Sequence, residues 1–280
     1  MKIPAGIVLY CPDPDRLREN LEAICPQAAS VICVDNGSDN REEITRLLSQ
    51  YPQTILIANE SNVGIARALN QICRRAADDG FDYVVTLDQD SVCPADMIAS
   101  YEEHLTEDAG LLCPVVKDRN HDLGTKGGDE PMTEITECIT SASLVNLKAW
   151  EAVNGFDESM FIDGVDFDFC DRIRKKGYRV YRVNRVVLLH EIGNITVRRF
   201  LFWPVRVKNH GAFRKYYIAR NTMVLARKRG GTARIVKSYA QVAKQYLMVL
   251  LYEDKKREKL SSVRRGFVDG RKAVIEKRWC

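Results

Sequence analysis

The chain has 280 residues, 45% hydrophobic and 29% charged, a globular composition that excludes disordered and fibrous architectures. Its formal net charge of +4 hides an asymmetry: residues 1–195 hold 19 basic and 33 acidic side chains (−14), whereas residues 196–280 hold 23 basic and 5 acidic (+18). Both halves need an explanation.

The first part alternates short β-branched runs with amphipathic segments, the pattern of βαβ units and a mostly parallel α/β sheet. Residues 6–11 (GIVLYC) predict a strand, 13–24 a helix, 30–35 (SVICVD) a second strand and 41–50 a second helix. Residues 54–58 predict a third strand, 64–79 a helix, and 83–87 (YVVTL) a fourth strand that ends on Asp88-Gln89-Asp90. A helix follows Pro94 to about residue 105, then a buried strand at 110–116 (GLLCPVV). Residues 117–137 are polar and Gly-rich and predict a loop or irregular hairpin. A strand at 139–146, a short helix at 148–153, a helix at 165–177 and a strand region at 178–189 leading to His190 complete this part. Beyond residue 195 the pattern is helical and basic, which predicts a first domain over 1–195 and a helical region over 196–280.

The nine cysteines occur singly, with no C-x-x-C pair. That argues against a zinc ribbon, a thioredoxin-type site or a complete disulfide framework, and suits reduced thiols in a cytosolic protein. The N-terminal apolar run is too short for a signal peptide, so export is not expected. The apolar stretch at 246–252 (YLMVLLY) falls far short of the ~20 residues that span a bilayer.

In an open α/β sheet the ligand lies beyond the C-terminal ends of the strands. Three strand ends here carry polar clusters: Asp35-Asn36-Gly37-Ser38, Asn59 through Asn62-Val63-Gly64, and Asp88-Gln89-Asp90. A lone D-x-D is a weak signal, but its place after an apolar strand, in step with the other two clusters, strengthens it.

These clusters lie in the segments VDNGSDN, NVGIARALNQ and LDQDS. With ITSASLVNLKAWEAVNGFDESMFIDGVDFDFCDRIRKKGY, LLHEIGN and YYIARNTMVLARKR, in this order, the chain resembles the inverting family-2 glycosyltransferases of the GT-A fold, and within them a bacterial rhamnosyltransferase-like branch. The resemblance implies that Asp88 and Asp90 form the D-x-D pair, with Asp90 on a Mg²⁺ or Mn²⁺ ion and Asp88 on the ribose or the metal; hard cations prefer oxygen ligands and stabilise a diphosphate leaving group. It further implies that Asp35 accepts from the base or ribose, with Asn36 beside it. Asn62, Gly64, Arg67 and Asn70 form a second nucleotide cluster, and Tyr10 flanks the base. His190 falls where the family places a histidine near the diphosphate or metal.

The family's general base follows a Glu; here Val165 stands in that place and Asp166 in the base position, a departure shared by the rhamnosyltransferase-like branch. Asp166 is therefore assigned as base, supported by Asp163 and Asp168, since an inverting transfer needs one carboxylate to take the acceptor proton. Acids at a helix start also stabilise the helix itself. Ser141, Ala142 and Ser143 match the turn that lines the family's acceptor pocket, with Phe161 shaping it; Trp150 and Phe156 read as core.

From Arg198 onward, basic residues interleave with aromatics, and Phe202 and Trp203 read as interfacial anchors against anionic lipid. A homodimer interface with a charged rim fits the same composition, and nucleic acid is set aside because no recognition motif accompanies the charge. The expected function is a metal-dependent transferase moving L-rhamnose from dTDP-L-rhamnose to a lipid-linked glycan acceptor, peripheral on the inner face of the cytoplasmic membrane. A UDP-hexose donor, or a non-catalytic sugar- or membrane-binding module, are the alternatives.

Overall fold

The computed structural model describes residues 2–118, 127–190, 196–200 and 203–276. The chain forms two compact units, Met1–Ser159 with Asp166–Glu191, and Met160–Val165 with Ile192–Cys280. The segment Met160–Val165 thus groups with the C-terminal part although residues 166–191, which follow it in sequence, belong to the first unit.

The first unit is built on an eight-stranded sheet in the order β3-β2-β1-β4-β7-β5-β8-β6. β1 (Ala5–Leu9) and β2 (Val31–Asp35) are buried at every residue, as continuous apolar strands covered on both faces should be. β3 (Thr54–Ala58) and β4 (Tyr83–Asp88) run parallel to them. Pairing brings Leu9 opposite Asp35, Asp35 opposite Ala58 and Val8 opposite Asp88, so four strand ends finish within one residue of one another. Strand order reverses between β1 and β4, which opens a crevice at their carboxyl ends.

The helices of the first half are α1 (Pro14–Ile24), α2 (Arg41–Leu48), α3 (Ile65–Asp78) and α4 (Met97–Glu103). α1 starts where a cap and proline demand it: the Asp13 carboxylate accepts from the Asp15 and Arg16 amides, and Pro14 occupies the first turn. β5 (Ala109–Asp118) pairs parallel with β8 (Arg179–His190), and β7 (Ser143–Asn146) lies antiparallel between β4 and β5. α5 (Leu147–Ala152) is capped by the Asn146 side chain, and α6 (Val165–Lys175) precedes β8.

Two local expectations change. The segment read as a loop or irregular hairpin contains β6 (Met132–Ile135), antiparallel to β8, while residues 119–126 lie outside the described set. The strand expected over 139–146 shortens to β7 because Ala142 takes a left-handed φ of 54°, which breaks extended pairing.

The second unit is not helical throughout. β9 (Thr196–Phe200) and β10 (Trp203–Val207) form an antiparallel hairpin before α7 (Ala212–Arg229), α8 (Thr232–Tyr252) and α9 (Lys256–Lys272). A small core of Ala219, Met223, Val242 and Val263 joins the three helices. α9 approaches α7 through Gly266 and Gly270, where an added Cβ would lie 2.2 Å from the Tyr216 carbonyl oxygen and 2.4 Å from that of Arg220. Only glycine allows that approach. Phe202, expected as an anchor, and the Trp203 side chain lie outside the described residues.

Candidate active site

Asp35 closes β2 with no exposed surface, and its carboxylate is held from two sides. Oδ1 accepts from the Ser38 amide at 3.0 Å and Oδ2 from Arg41 Nε at 2.6 Å. Arg41 also donates to the Asn59 carbonyl, tying the loops after β2 and β3 together. The buried charge is thereby paired and aimed. Arg41, which holds this candidate carboxylate in place, was missed by the motif reading, since VDNGSDN stops one residue before it.

Asn36 and Asn62 form the next layer. Asn36 Nδ2 donates to Asn62 Oδ1 at 3.1 Å, Asn36 Oδ1 accepts from the Val63 amide, and Asn62 Oδ1 accepts from the Gly64 amide. Gly37, at φ +81°, lets the two loops touch, because a Cβ there would lie 2.6 Å from the Ser61 carbonyl carbon. Gly64 caps α3 at φ 87°, and Arg67, on the first turn, is exposed.

The Asp88-Gln89-Asp90 turn is fastened at several points. The Tyr10 amide donates to Gln89 Oε1 at 2.8 Å, and Gln89 Nε2 donates back to the Tyr10 carbonyl at 3.4 Å, stitching β1 to β4 across the crevice. Beneath the turn, Asn20 Nδ2 donates to the Asp88 carbonyl at 2.7 Å, and the Asp88 amide donates to Ser141 Oγ at 3.2 Å. Asn20 is fully buried on the Leu17-Leu21-Ile24 face of α1, and a polar residue inside an apolar stripe is the signal that could have flagged it. Tyr10 itself is 50% exposed, open to a flat ring.

Two groups of expected residues turn inward. Ser141, Ala142 and Ser143, expected in the acceptor pocket, are buried behind this turn. Ser141 Oγ lies 2.7 Å from Ser91 Oγ, Ser143 Oγ donates to the Ile139 carbonyl, and the Ala142 carbonyl accepts from the Tyr101 hydroxyl. These contacts buttress β4. Asn70, expected to contact the nucleotide, is also buried: Nδ2 donates to the Phe156 carbonyl and Glu158 Oε1, and Oδ1 accepts from Trp150 Nε1 and the Phe156 amide. All four of its hydrogen-bonding positions go to protein, so it fastens α3 to the 150–158 segment.

Asp166, half-buried, opens α6, and its Oδ1 accepts from the Phe167 amide at 3.0 Å. Asp168 is locked: Arg172 Nε reaches it at 2.7 Å while Arg172 also donates to the Val153 and Gly155 carbonyls. Through Arg172, Asp168 anchors α6 to the 153–155 segment. The Cys138 sulfur lies 4.0 Å from that of Cys170 on α6. The Cys138 thiol is pushed well up by its hydrogen bond with Cys113, then burial, with the Asp166 charge adding to it. Residues 138–141 therefore run from the side of α6 to the Asp88 turn, where Thr86 Oγ1 also donates to the Thr140 carbonyl. The His190 backbone ends β8 opposite Asp118, but its side chain lies outside the described residues.

In the second unit, Asp163 takes a left-handed φ of 65° and receives both Nε and Nη2 of Arg214 at 3.0–3.1 Å. Phe161 stacks on Tyr217 with ring centres 4.9 Å apart, and Phe213 meets both rings edge-on. Asn221 Nδ2 donates to the carbonyls of Met160, Ile162 and Asp163, holding the segment on α7.

Among the described residues no three His, Cys, Asp or Glu side chains converge on a closed metal site. Asp88 and Asp90 still offer hard oxygen donors on one turn. That suits a cation such as Mg²⁺, which takes one or two carboxylates and completes its shell with substrate phosphates and water.

Comparison with known proteins bears on the family and the fold. The dTDP-rhamnosyl transferase RfbF of Shigella flexneri is 28% identical over 242 residues, spanning 81% of this chain and 80% of that protein. The structure of S. aureus TarS 1–349 in complex with UDP-GlcNAc superposes with a TM-score of 0.63 at 13% identity, covering 96% of this chain and 81% of that one. The structure of GalNAc-T7 with UDP, GalNAc and Mn²⁺ does so with a TM-score of 0.62 at 12% identity, covering 98% and 56%. Residues 7–172 match Glycosyl transferase family 2, a span that runs from β1 through the three strand-end clusters to Arg172, and the chain belongs to that family: it is a glycosyltransferase of the GT-A fold.

Proposed function

We propose that this glycosyltransferase moves L-rhamnose from dTDP-L-rhamnose to a lipid-linked glycan acceptor, with inversion, using a Mg²⁺ or Mn²⁺ ion held by Asp88 and Asp90. The observation that carries the reading is that Asp35 and Asp88 end β2 and β4, the strands on either side of β1, within one residue of the same level beside the strand-order switch. Donor identity draws on the rhamnosyl transferase name of the 28% identical relative. The metal draws on the two carboxylates and on the Mn²⁺ of the GalNAc-T7 complex.

In this reading Asp35, pre-aimed by Arg41 and Ser38, accepts from the base or ribose, and Tyr10 covers the base. Arg67 faces the phosphates, and His190 adds a ligand near them. When bound, the cation offsets the charge that builds on the departing diphosphate. Asp166 accepts the proton of the acceptor hydroxyl as its oxygen bonds to the anomeric carbon; the bond from that carbon to the diphosphate oxygen breaks, and its electron pair leaves with the diphosphate. Phe161 shapes the acceptor side. Residues 1–195 carry donor binding and chemistry, and residues 196–280 face the acceptor at the inner surface of the cytoplasmic membrane.

The test is thermal shift with a panel of nucleotide sugars, with and without Mn²⁺, because a ligand that binds the native state raises its apparent stability. The largest shift is expected with dTDP-L-rhamnose plus Mn²⁺, and Asp90→Asn should abolish the metal-dependent part. No shift with any donor overturns the reading. A larger shift with a UDP-hexose favours the alternative donor, to which the UDP-GlcNAc and UDP complexes of structural relatives point.

A further inference from the structure

α8 is the helix whose apolar side chains are least used inside the protein. Of its 21 residues, Ser238, Val242 and Val249 are buried, while Val236, Tyr239, Tyr246, Leu247, Leu250 and Leu251 are 40–63% exposed. At 3.6 residues per turn these six fall within an arc of about 140°, beside the narrow arc that packs inward. Lys237 and Lys244 border the same arc, and α8 carries no acidic residue. The face is thus a coherent apolar stripe with a cationic edge, on a region whose net charge over 196–280 is +18.

We propose that this face of α8 docks on an anionic lipid surface. An interfacial helix needs exposed leucines and aromatics on one side and basic residues at the edge, which is the order found here. Charge complementarity selects this occupant over a second copy, since two such faces would bring like charges together. Among the described residues no helix is long and apolar enough to cross a membrane, so the contact proposed for α8 is a surface one. The inference deepens the acceptor half of the proposed function and rests on it, moving the lipid contact from the anticipated Phe202 and Trp203 to Leu247, Leu250 and their neighbours.

Deleting the segment after Arg229 would be an unsound test, because α9 packs closely on α7 through Gly266 and Gly270. Surface substitutions in the full chain avoid that. Co-sedimentation with equimolar phosphatidylcholine–phosphatidylglycerol vesicles should retain the wild type, and pure phosphatidylcholine should retain much less. The double variant Leu247→Gln/Leu250→Gln should lower partitioning by about tenfold, and Lys237→Glu/Lys244→Glu should lower it on the anionic vesicles only, both with unchanged circular dichroism and melting temperature. Failure of the wild type to partition, equal partitioning of wild type and both variants, or conversion of a wild-type dimer to monomer by the leucine variant with vesicle binding intact would each overturn the proposal. Donor thermal shift without vesicles reports the catalytic reading alone, so loss of one result with survival of the other tells which has failed.

Discussion

α3 and α8 spend their side chains in opposite ways. α3, with 14 residues, buries Ala66, Ala68, Leu69, Asn70, Ile72, Cys73 and Ala76, whereas α8, with 21, buries only three residues. A helix laid on a sheet satisfies its apolar face within the fold, and even its polar Asn70 is saturated there. A helix joined to its neighbours by a small core keeps a face for something else. The charge follows the same division, with −14 over residues 1–195 and +18 over residues 196–280.

The comparison is broken hardest by Asp166→Asn. If the first unit holds the chemistry, kcat should fall about 10³-fold while the melting temperature and the donor-induced shift stay at wild-type values. Turnover within a factor of ten of wild type would remove Asp166 from the base role. Asn70→Ala should cost about 3 kcal/mol in chemical denaturation, because the Trp150 indole N–H and the Phe156 amide lose their buried acceptor. Nucleotide affinity of the folded variant should not change; a selective loss of affinity would return Asn70 to the nucleotide cluster.

In the second unit Gly270→Val should cost about 2 kcal/mol by forcing α9 off the Arg220 carbonyl. The expected signature is an earlier loss of α-helical ellipticity on heating with the donor-induced shift retained. The smallest effect concerns His210, whose pKa is pushed from 6.5 down to about 4 by burial, then by Arg214, Lys215 and Lys208. A histidine that stays neutral in the fold protonates more readily once unfolded, so its contribution is complete above 6.5 and declines as the pH falls toward 4. His210→Gln should flatten the fall in melting temperature across that window; an unchanged slope would assign the acid sensitivity elsewhere.

Much of the first unit was legible because its signals are local. Runs such as VICVD and YVVTL announce buried strands, and a carboxylate directly after such a run must lie at a strand end. Asp35, Asp88 and Asp90 could therefore be found without coordinates. Arg41 escaped because a charged residue at the start of a helix looks solvated until its partner is known. Ser141, Ser143 and Asn70 were read outward for the converse reason: their motif context matches a pocket, but their hydroxyl and amide groups are used by Ser91, Ile139 and Phe156. The β9–β10 hairpin was hidden by a basic, aromatic stretch with little alternation.

By itself the sequence determined most of the strand and helix order of the first unit, β6 excepted, the polar strand ends and the division of charge, since these depend on periodicity and composition within a few turns of chain. Only the tertiary structure decided which polar groups are free to meet a ligand and which are spent on the fold. Asn70 and Phe156 are 86 residues apart and Asp88 and Ser141 are 53 apart, and a side chain's hydrogen-bonding capacity is finite. The same accounting, applied to apolar surface, separated α3 from α8: burial depends on what packs against a helix, which its own residues cannot state.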